Sequence, residues 1–223
     1  MGFIDQKCTF DVLSEDLLSE CDPFTCGEDD DMDEFFSKDA LTYARRRIGK
    51  SYCFRLEENE KQIVACFTLS NDSIRIWDLG SSKKNAMWKE LTNREKMLSR
   101  FPGVLIGRLA VSKAFAGMGI GTEILDFIKM WFLSEENKTG CRLAIVDAKN
   151  EPKVLKFYEK NGFRYLFNTE IDEDLYIKHP KNEEERLAKI KKAREITLKN
   201  FTSDIIYKKF INIDNDVRKK KGL

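Results

Sequence analysis

The sequence lacks the features of zinc-binding, secreted and membrane-spanning proteins. Its six cysteines form no Cys-x-x-Cys pair, and His179 is its single histidine. Zinc sites need clustered thiolates or imidazoles, so we expect no metal. The N-terminal residues show no secretory signal, and no apolar run approaches the ~20 residues that cross a bilayer. We therefore expect a soluble, cytoplasmic protein without membrane contacts, whose thiols are free and mostly buried.

One histidine in a polar stretch also argues against a Ser-His or Cys-His catalytic pair. An excess of charge of either sign is missing as well: 39 Lys and Arg oppose 38 Asp and Glu. No whole-molecule basic field draws the protein onto nucleic acid. Basic residues cluster locally at residues 45–47, 186–199 and 218–221. Each cluster can contact RNA phosphates, or can be a solvated helix face or tail.

The 223 residues, 42% hydrophobic and 35% charged, suffice for one domain with its own core. Apolar periodicity and turn residues predict, in chain order, a strand at 9–13, a helix that follows the acidic run 28–34 and ends at Gly49, a hairpin of strands at 51–57 and 62–69, a polar insertion with local helical character at 71–100, a strand at 104–111, a helix at 119–133, a strand at 143–146, a helix at 151–161, and strands at 163–167 and 204–213. A charged helix at 182–199 precedes the last strand and a basic tail, 214–223, follows it. We expect one α/β domain, residues 1–223.

A glycine-rich turn joins the predicted strand 104–111 to the next helix. It reads Ala-Gly-Met-Gly-Ile-Gly-Thr, residues 116–122. Glycines there let backbone N–H groups converge at a helix N-terminus, which favours a phosphate. A P-loop would require Gly-Lys-Ser/Thr, and a dinucleotide fingerprint would require G-x-G-x-x-G; neither is present. A pyrophosphate loop for coenzyme A and a tight turn without a ligand remain as alternatives.

Three blocks together resemble the GNAT N-acetyltransferase superfamily. They are Ile-Gly-Arg-Leu-Ala-Val (106–111), the glycine turn, and Lys-Phe-Tyr-Glu-Lys-Asn-Gly-Phe (156–163). The resemblance covers roughly residues 52–167, the expected core. It implies a mixed, mostly antiparallel central sheet flanked by helices, with the charged helix inserted before the last strand.

Within this superfamily the chain is similar to bacterial proteins related to the toxins that acetylate aminoacyl-tRNA. Phe-Thr-Cys-Gly (24–27) before an acidic helix start, and Arg-Leu-Ala-Val (108–111), are features of that group. The resemblance therefore implies acetyl-CoA as co-substrate and tRNA, an antitoxin protein and a second copy of the chain as further partners.

The resemblance also implies a role for particular residues. Tyr158 should lie near the coenzyme sulfur, and a backbone N–H near Val111 should polarise the thioester carbonyl. The family usually has Gln or Arg where Ala116 stands, and often a basic residue where Met118 stands; since backbone N–H groups make the principal phosphate contacts, we expect binding to survive, but weakened. The coenzyme-binding residues implied in this way are Leu109, Ala110, Val111, Ala116, Gly117, Met118, Gly119, Ile120, Gly121, Thr122 and Asn150.

The chemistry expected is attack of a neutral amine on the acetyl thioester. Tyr158, with an ordinary pKa of ~10, is protonated at neutral pH and can supply a proton to the leaving thiolate; otherwise it is a helix residue that packs on the sheet. No residue of the sequence can be recognised as a dedicated general base that deprotonates the acceptor amine. A free α-amine, with a pKa of ~7.7–8.0, is partly neutral without one, whereas a lysine amine at ~10.4 is not.

This difference favours an α-amino acceptor such as aminoacyl-tRNA, and hence a toxin-like enzyme. A protein or small-amine acetyltransferase is the alternative among enzymes. A non-catalytic acyl-CoA-binding regulator is the alternative from another class, because the departures at Ala116 and Met118 also suit a member that has lost activity.

Overall fold

The structure is a computed structural model that describes residues 2–27, 29–91, 98–178 and 207–213, together with residues 182, 184, 185 and 187. The helices are α1 (Phe3–Lys7), α2 (Glu15–Glu20), α3 (Asp30–Glu34), α4 (Ala40–Arg45), α5 (Ser81–Leu91), α6 (Ile120–Leu133), α7 (Pro152–Lys160) and α8 (Glu170–Lys178). The strands are β1 (Cys8–Val12), β2 (Lys50–Leu56), β3 (Asn59–Arg75), β4 (Arg100–Val111), β5 (Leu143–Lys149), β6 (Arg164–Tyr165) and β7 (Tyr207–Ile213). Among these residues, no helix has the length and hydropathy needed to cross a membrane.

The strands form one sheet in the order β1-β2-β3-β4-β5-β7-β6. Neighbouring strands are antiparallel except β4 and β5, which run parallel. Helix α6 provides the crossover between these two, as a parallel connection requires. The mixed, mostly antiparallel sheet flanked by helices is therefore confirmed.

Helix α6 covers one face of the sheet. Its apolar residues recur at spacings of three and four, and Ile120, Ile124 and Ile128 are buried against side chains of β2 to β5. Each buried aliphatic side chain contributes about 1.5–3 kcal/mol. Truncating Ile124 to Ala should therefore cost about 2–5 kcal/mol of stability.

Helices α2 to α4 cover the opposite face. Acidic residues fill the first turn of α3, where the helix dipole favours them. A π-helical turn, Phe35–Asp39, joins α3 to α4. This wider turn accommodates consecutive buried rings at Phe35 and Phe36, which pack near Cys53, Cys66 and Ala110.

The predicted polar insertion 71–100 is wrong at both ends. Its first residues continue β3 to Arg75 and its last residue begins β4. Ile74, Ile76 and Phe101 are fully buried there, in a second cluster with β5 and α8. Burial of these apolar side chains stabilises the strands, although the residues between them in the sequence are polar.

Smaller differences lie elsewhere. Helices α1, α2 and α8 were not predicted, and the strand expected at 163–167 is only Arg164–Tyr165. The first long helix ends at Arg45 rather than Gly49. Only Cys53 and Cys66 are buried; the other four thiols are half-buried. His179, the basic tail 214–223 and nearly all of the predicted helix 182–199 lie outside the described residues.

Candidate active site

A cleft opens in the sheet between β4 and β5. The two strands pair at four positions, the last of which is Ile106 opposite Val146. Beyond that point β4 continues to Val111 and β5 to Lys149, but the two strands no longer pair with each other. Gly107 is an extra residue relative to β3, whose Thr68 and Leu69 face Arg108 and Ile106. Such a bulge bends the strand that carries it, so it separates β4 from β5 at this point.

The glycine turn closes one end of this cleft. Gly117 and Gly119 have φ angles of 79° and 82°, in the left-handed region that favours glycine. A Cβ atom on either would meet no atom within 4 Å, so the turn has open space around it. In the part of the chain that the structure describes, the N–H groups of Gly117, Met118 and Gly119 donate no hydrogen bond. Free donors at the N-terminus of the 14-residue α6 suit an anionic group such as a diphosphate.

Gly121 is required for packing. A Cβ atom on Gly121 would lie 3.2 Å from Cζ of Phe157 and 3.9 Å from Cδ2 of Leu109. The missing side chain therefore lets the ring of Phe157, on α7, approach the first turn of α6. The contact brings together the three blocks that carried the resemblance: the end of β4, the glycine turn and α7.

Tyr158 lies beside Phe157 on α7, which packs against β5. Its half-buried ring has its centre 5.1 Å from that of Phe157 and 5.4 Å from that of Phe163. Burial raises the pKa of Tyr158 to about 12, because the charged phenolate is poorly solvated there. The phenol is therefore neutral throughout the physiological pH range.

The other predicted residues differ in what they can offer a ligand. The side chains of Ala110 and Ile120 are buried in the core, which leaves only their backbone atoms. The N–H of Thr122 donates to the Gly119 carbonyl at 2.9 Å, which leaves its hydroxyl. Met118 is 52% exposed, and Asn150 is exposed directly after the end of β5.

An acidic strap, defined here as residues 25–27 and 29–33, crosses the cleft on the face covered by α3. It is held to β4 by an ion pair between Asp31 and Arg108, and to β5 by one between Asp29 and Lys149. The N–H of Lys113 also donates to the Thr25 carbonyl at 2.9 Å. The hydrogen bond from Lys149 lowers the pKa of Asp29. In the sequence the acidic run indicates a helix start, and nothing in it indicates these ion pairs, because their partners are distant in the chain.

Within the described ranges, no group of three or more His, Cys, Asp or Glu residues is arranged to hold a metal ion. The chemistry available to the site is that of backbone N–H donors, a neutral phenol and the paired charges of the acidic strap. An extended ligand with an anionic end can lie along β4, with that end at the glycine turn and its other end under the strap.

The sequence profile of the GNAT acetyltransferase domain matches residues 49–165 of the chain. A search of curated proteins finds no match. Among solved structures, AtaT complexed with acetyl-methionyl-tRNAfMet is 22% identical over 70% of this chain and 86% of that one, with a TM-score of 0.56. A tyrosine-to-phenylalanine mutant of KacT is 19% identical over 71% and 87%, also with a TM-score of 0.56.

A third similar structure is an AtaT mutant toxin bound to acetyl-CoA and to the C-terminus of the antitoxin AtaR. It is 15% identical over 98% of this chain and 100% of that one, with a TM-score of 0.58. At such identities these likenesses show the fold alone, whereas the profile match covers more than half of the chain.

Proposed function

The chain belongs to the GNAT family of acetyl-CoA-dependent N-acetyltransferases, and we propose that its acceptor is the α-amine of an aminoacyl-tRNA. The observation that supports coenzyme binding is the set of N–H groups at residues 117–119 that donate no hydrogen bond within the described residues, in the turn that closes one end of the cleft beyond the end of β4. The proposed acceptor is supported by the fold shared with AtaT in complex with acetyl-methionyl-tRNAfMet. It is also supported by the sequence, in which no general base for the amine can be recognised.

In this proposal the coenzyme lies along the cleft. The diphosphate accepts hydrogen bonds from the N–H groups of the turn, which begins at the exposed Ala116 and needs no cationic side chain at Met118. The pantetheine arm lies along the backbone of residues 109–111, on the side of β4 that β5 has left. Asn150 lies at the end of the opposite wall.

The reaction begins when the lone pair of the neutral amine attacks the thioester carbon. The carbonyl oxygen becomes an oxyanion, which a backbone N–H near Val111 stabilises. The C–S bond then breaks, the amine nitrogen releases its proton to water, and the amide product forms. The thiolate leaves with the electron pair of that bond.

Tyr158 acts on the leaving sulfur in this mechanism. With a pKa of about 12 its phenol stays protonated, so it can donate a hydrogen bond to the developing thiolate. Complete proton transfer to a thiolate of ordinary pKa (~8.5) would be unfavourable, because the two pKa values differ by about 3.5. We therefore assign Tyr158 to stabilisation of the thiolate by a hydrogen bond, with the final proton coming from solvent.

The partners follow from the same comparison. AtaT is bound to the C-terminus of its antitoxin in one similar structure, and we propose that a protein of this kind restrains the present enzyme. The homodimer, the single domain spanning residues 1–223 and the cytoplasmic location stay predictions.

The test compares acceptors with purified protein and radiolabelled acetyl-CoA. Aminoacyl-tRNA should be acetylated in preference to lysine peptides and polyamines. Preference for a lysine or polyamine amine would overturn the acceptor assignment and favour the protein or small-amine alternative. The non-catalytic regulator would be favoured if the protein bound acetyl-CoA but transferred the acetyl group to no acceptor, and if Tyr158→Phe left that binding unchanged.

A further inference from the structure

A cavity of about 430 Å³ lies between the end of α4 and the α6 side of the sheet, and none of its lining residues belongs to the coenzyme cleft. We propose that it binds one unpaired nucleotide of the RNA acceptor, with the phosphate against Arg47 and Lys50 and the base against the apolar wall. The inference rests on the proposed tRNA substrate. The apolar wall is formed by Val12, Ile48, Leu69, Val104 and Phe132.

Arg47 occupies a backbone position that normally selects glycine. Its φ angle is 58°, and it is the only non-glycine residue with a positive φ in the described part of the chain. The N–H of Arg47 donates to the Ala44 carbonyl at 3.1 Å, and the N–H of Ile48 donates to the Tyr43 carbonyl at 3.0 Å. These two bonds form a Schellman motif, in which the left-handed residue is usually glycine because a Cβ atom is unfavourable there.

An arginine at this position therefore destabilises the fold locally, and Arg47 is one of the residues that line the cavity. Cations at a helix C-terminus do stabilise the helix dipole. Arg45 and Arg46 already supply that interaction from positions with ordinary backbone angles. The dipole thus accounts for the first two arginines, and an anionic ligand accounts for the third.

The positive charge at the cavity rim is available to such a ligand. Within the described residues, neither Arg47 nor Lys50 forms an ion pair, and the Lys50 ammonium lies 5.4 Å from the ring centre of Tyr52. Arg45 lies 4.0 Å from a carboxylate oxygen of Glu15, and both side chains are well exposed. A pair of this kind contributes little and leaves the local field positive.

A nucleotide matches this combination of groups. It carries a phosphate, which arginine binds through paired N–H donors, next to a flat base with hydrogen-bonding edges. The cavity places Ser70 and Asn71 beside the apolar wall, where their polar groups can meet such an edge. Its volume is within the range of ligand sites, and proteins commonly read RNA through unpaired bases splayed into pockets.

The test compares the full chain with its Arg47→Gly variant. Arg47 is unfavourable for the left-handed backbone but favourable for binding the phosphate, so this substitution should stabilise the fold and weaken tRNA binding. Gly suits the left-handed backbone, so Tm should rise by about 2 °C. The Kd for deacylated tRNA should nevertheless rise about tenfold, and the KM for aminoacyl-tRNA should rise with it. Arg46→Ala is the matched control: it removes the same charge from the same helix end but not from the cavity, and should raise Kd only about twofold.

A second measurement locates the nucleotide. Transfer RNA substituted with 4-thiouridine should cross-link, on irradiation, to peptides that contain Phe132 or residues 45–52, and Arg47→Gly should reduce that product. Equal weakening by Arg47→Gly and Arg46→Ala would overturn the proposal, since it would show a diffuse charged patch. The proposal would also be overturned if a peptide of alternating Leu and Glu bound the protein, if that binding required Arg47, and if tRNA did not displace the peptide. If tRNA binds as expected but its aminoacyl form is not acetylated, the proposed acceptor fails and the cavity assignment stands.

Discussion

Asp31 forms an ion pair with Arg108, the residue that follows the bulge at Gly107 in β4. The guanidinium of Arg108 also lies 4.8 Å from the ring centre of Phe35, so a charge pair and a cation–π contact act together on one side chain. With Asp29 bound to Lys149 on the other wall, the acidic strap is fixed over the point where β4 and β5 separate. An acceptor that approaches on this face has to pass the strap.

Asp31→Asn should therefore impair use of the acceptor more than it impairs the fold. The Asp31 side chain is 64% exposed, so losing its charge should cost less than about 1 kcal/mol of stability. We expect kcat/KM for the acceptor to fall about tenfold, a loss of ~1.4 kcal/mol in transition-state stabilisation, while the Kd of acetyl-CoA stays within twofold. Steady-state kinetics and calorimetry would measure the two quantities.

Glu34→Gln is the matched control for this variant. Glu34 is close to Asp31 in sequence, but its ion pair among the described residues is with Lys38, four residues on, along the exposed side of the same helical segment. Equal losses in Asp31→Asn and Glu34→Gln would show that the strap contributes general negative charge and does not position the acceptor.

The parts of this site that are continuous in the chain can be predicted from the sequence. The glycine turn, β4 before it and the helix that carries Tyr158 each have local signals, and each lies where it was expected. The bulge at Gly107 had no such signal, because it is a relation between β4 and β3. The strap pairs join residues 77 and 120 positions apart, and a single sequence does not show which opposite charges meet at that separation.

The contact between Gly121 and Phe157 gives a prediction about packing. Gly121→Ala places a Cβ atom 3.2 Å from Cζ of a half-buried ring, so the ring or the helix has to shift. We expect a loss of about 1–3 kcal/mol in the free energy of unfolding, measured by urea denaturation. Phe157→Leu should remove part of the conflict, so the double variant should be less unstable than the sum of the single ones.

Gly119→Ala serves as the comparison for that cycle. Its Cβ atom would meet nothing within 4 Å, so its cost should come only from the left-handed backbone, about 1 kcal/mol, and should not depend on Phe157. If Phe157→Leu reduced the stability cost of Gly119→Ala as much as that of Gly121→Ala, the packing role assigned to Gly121 would be contradicted.

The six thiols should differ in reactivity. Burial raises the pKa of Cys53 to about 12 and that of Cys66 well above its ordinary value, so neither forms thiolate at pH 8 in the folded state. Burial also raises the pKa of the half-buried Cys8 to about 11, so a maleimide should label Cys8 last among the four half-buried thiols, and labelling of Cys53 and Cys66 should appear only with unfolding. Mass spectrometry over a time course would separate the two classes; early labelling of Cys66 would contradict the burial described here.

Tyr158→Phe separates the chemical role of the hydroxyl from its place in the core. Phenylalanine keeps the ring contacts with Phe157 and Phe163, so the variant should fold and bind acetyl-CoA. The rate of acetyl transfer should fall about 100-fold, because the leaving thiolate loses its hydrogen-bond donor. In the wild type, the rate should rise as the acceptor amine loses its proton, near pH 7.7–8.0, and the phenol should cause no decline until the pH approaches 12.

The same hydroxyl makes stability depend on pH in a defined direction. The unfolded chain releases the tyrosine proton near pH 10 and the folded chain near pH 12, so between these values the folded state binds more protons. The contribution of Tyr158 is therefore complete below about pH 10 and is lost as the pH rises to about 12, by at most ~3 kcal/mol. Urea denaturation between pH 8 and 11 should show a steeper decline for the wild type than for Tyr158→Phe. Parallel curves would mean that the hydroxyl is solvated, and that its pKa is not raised by burial.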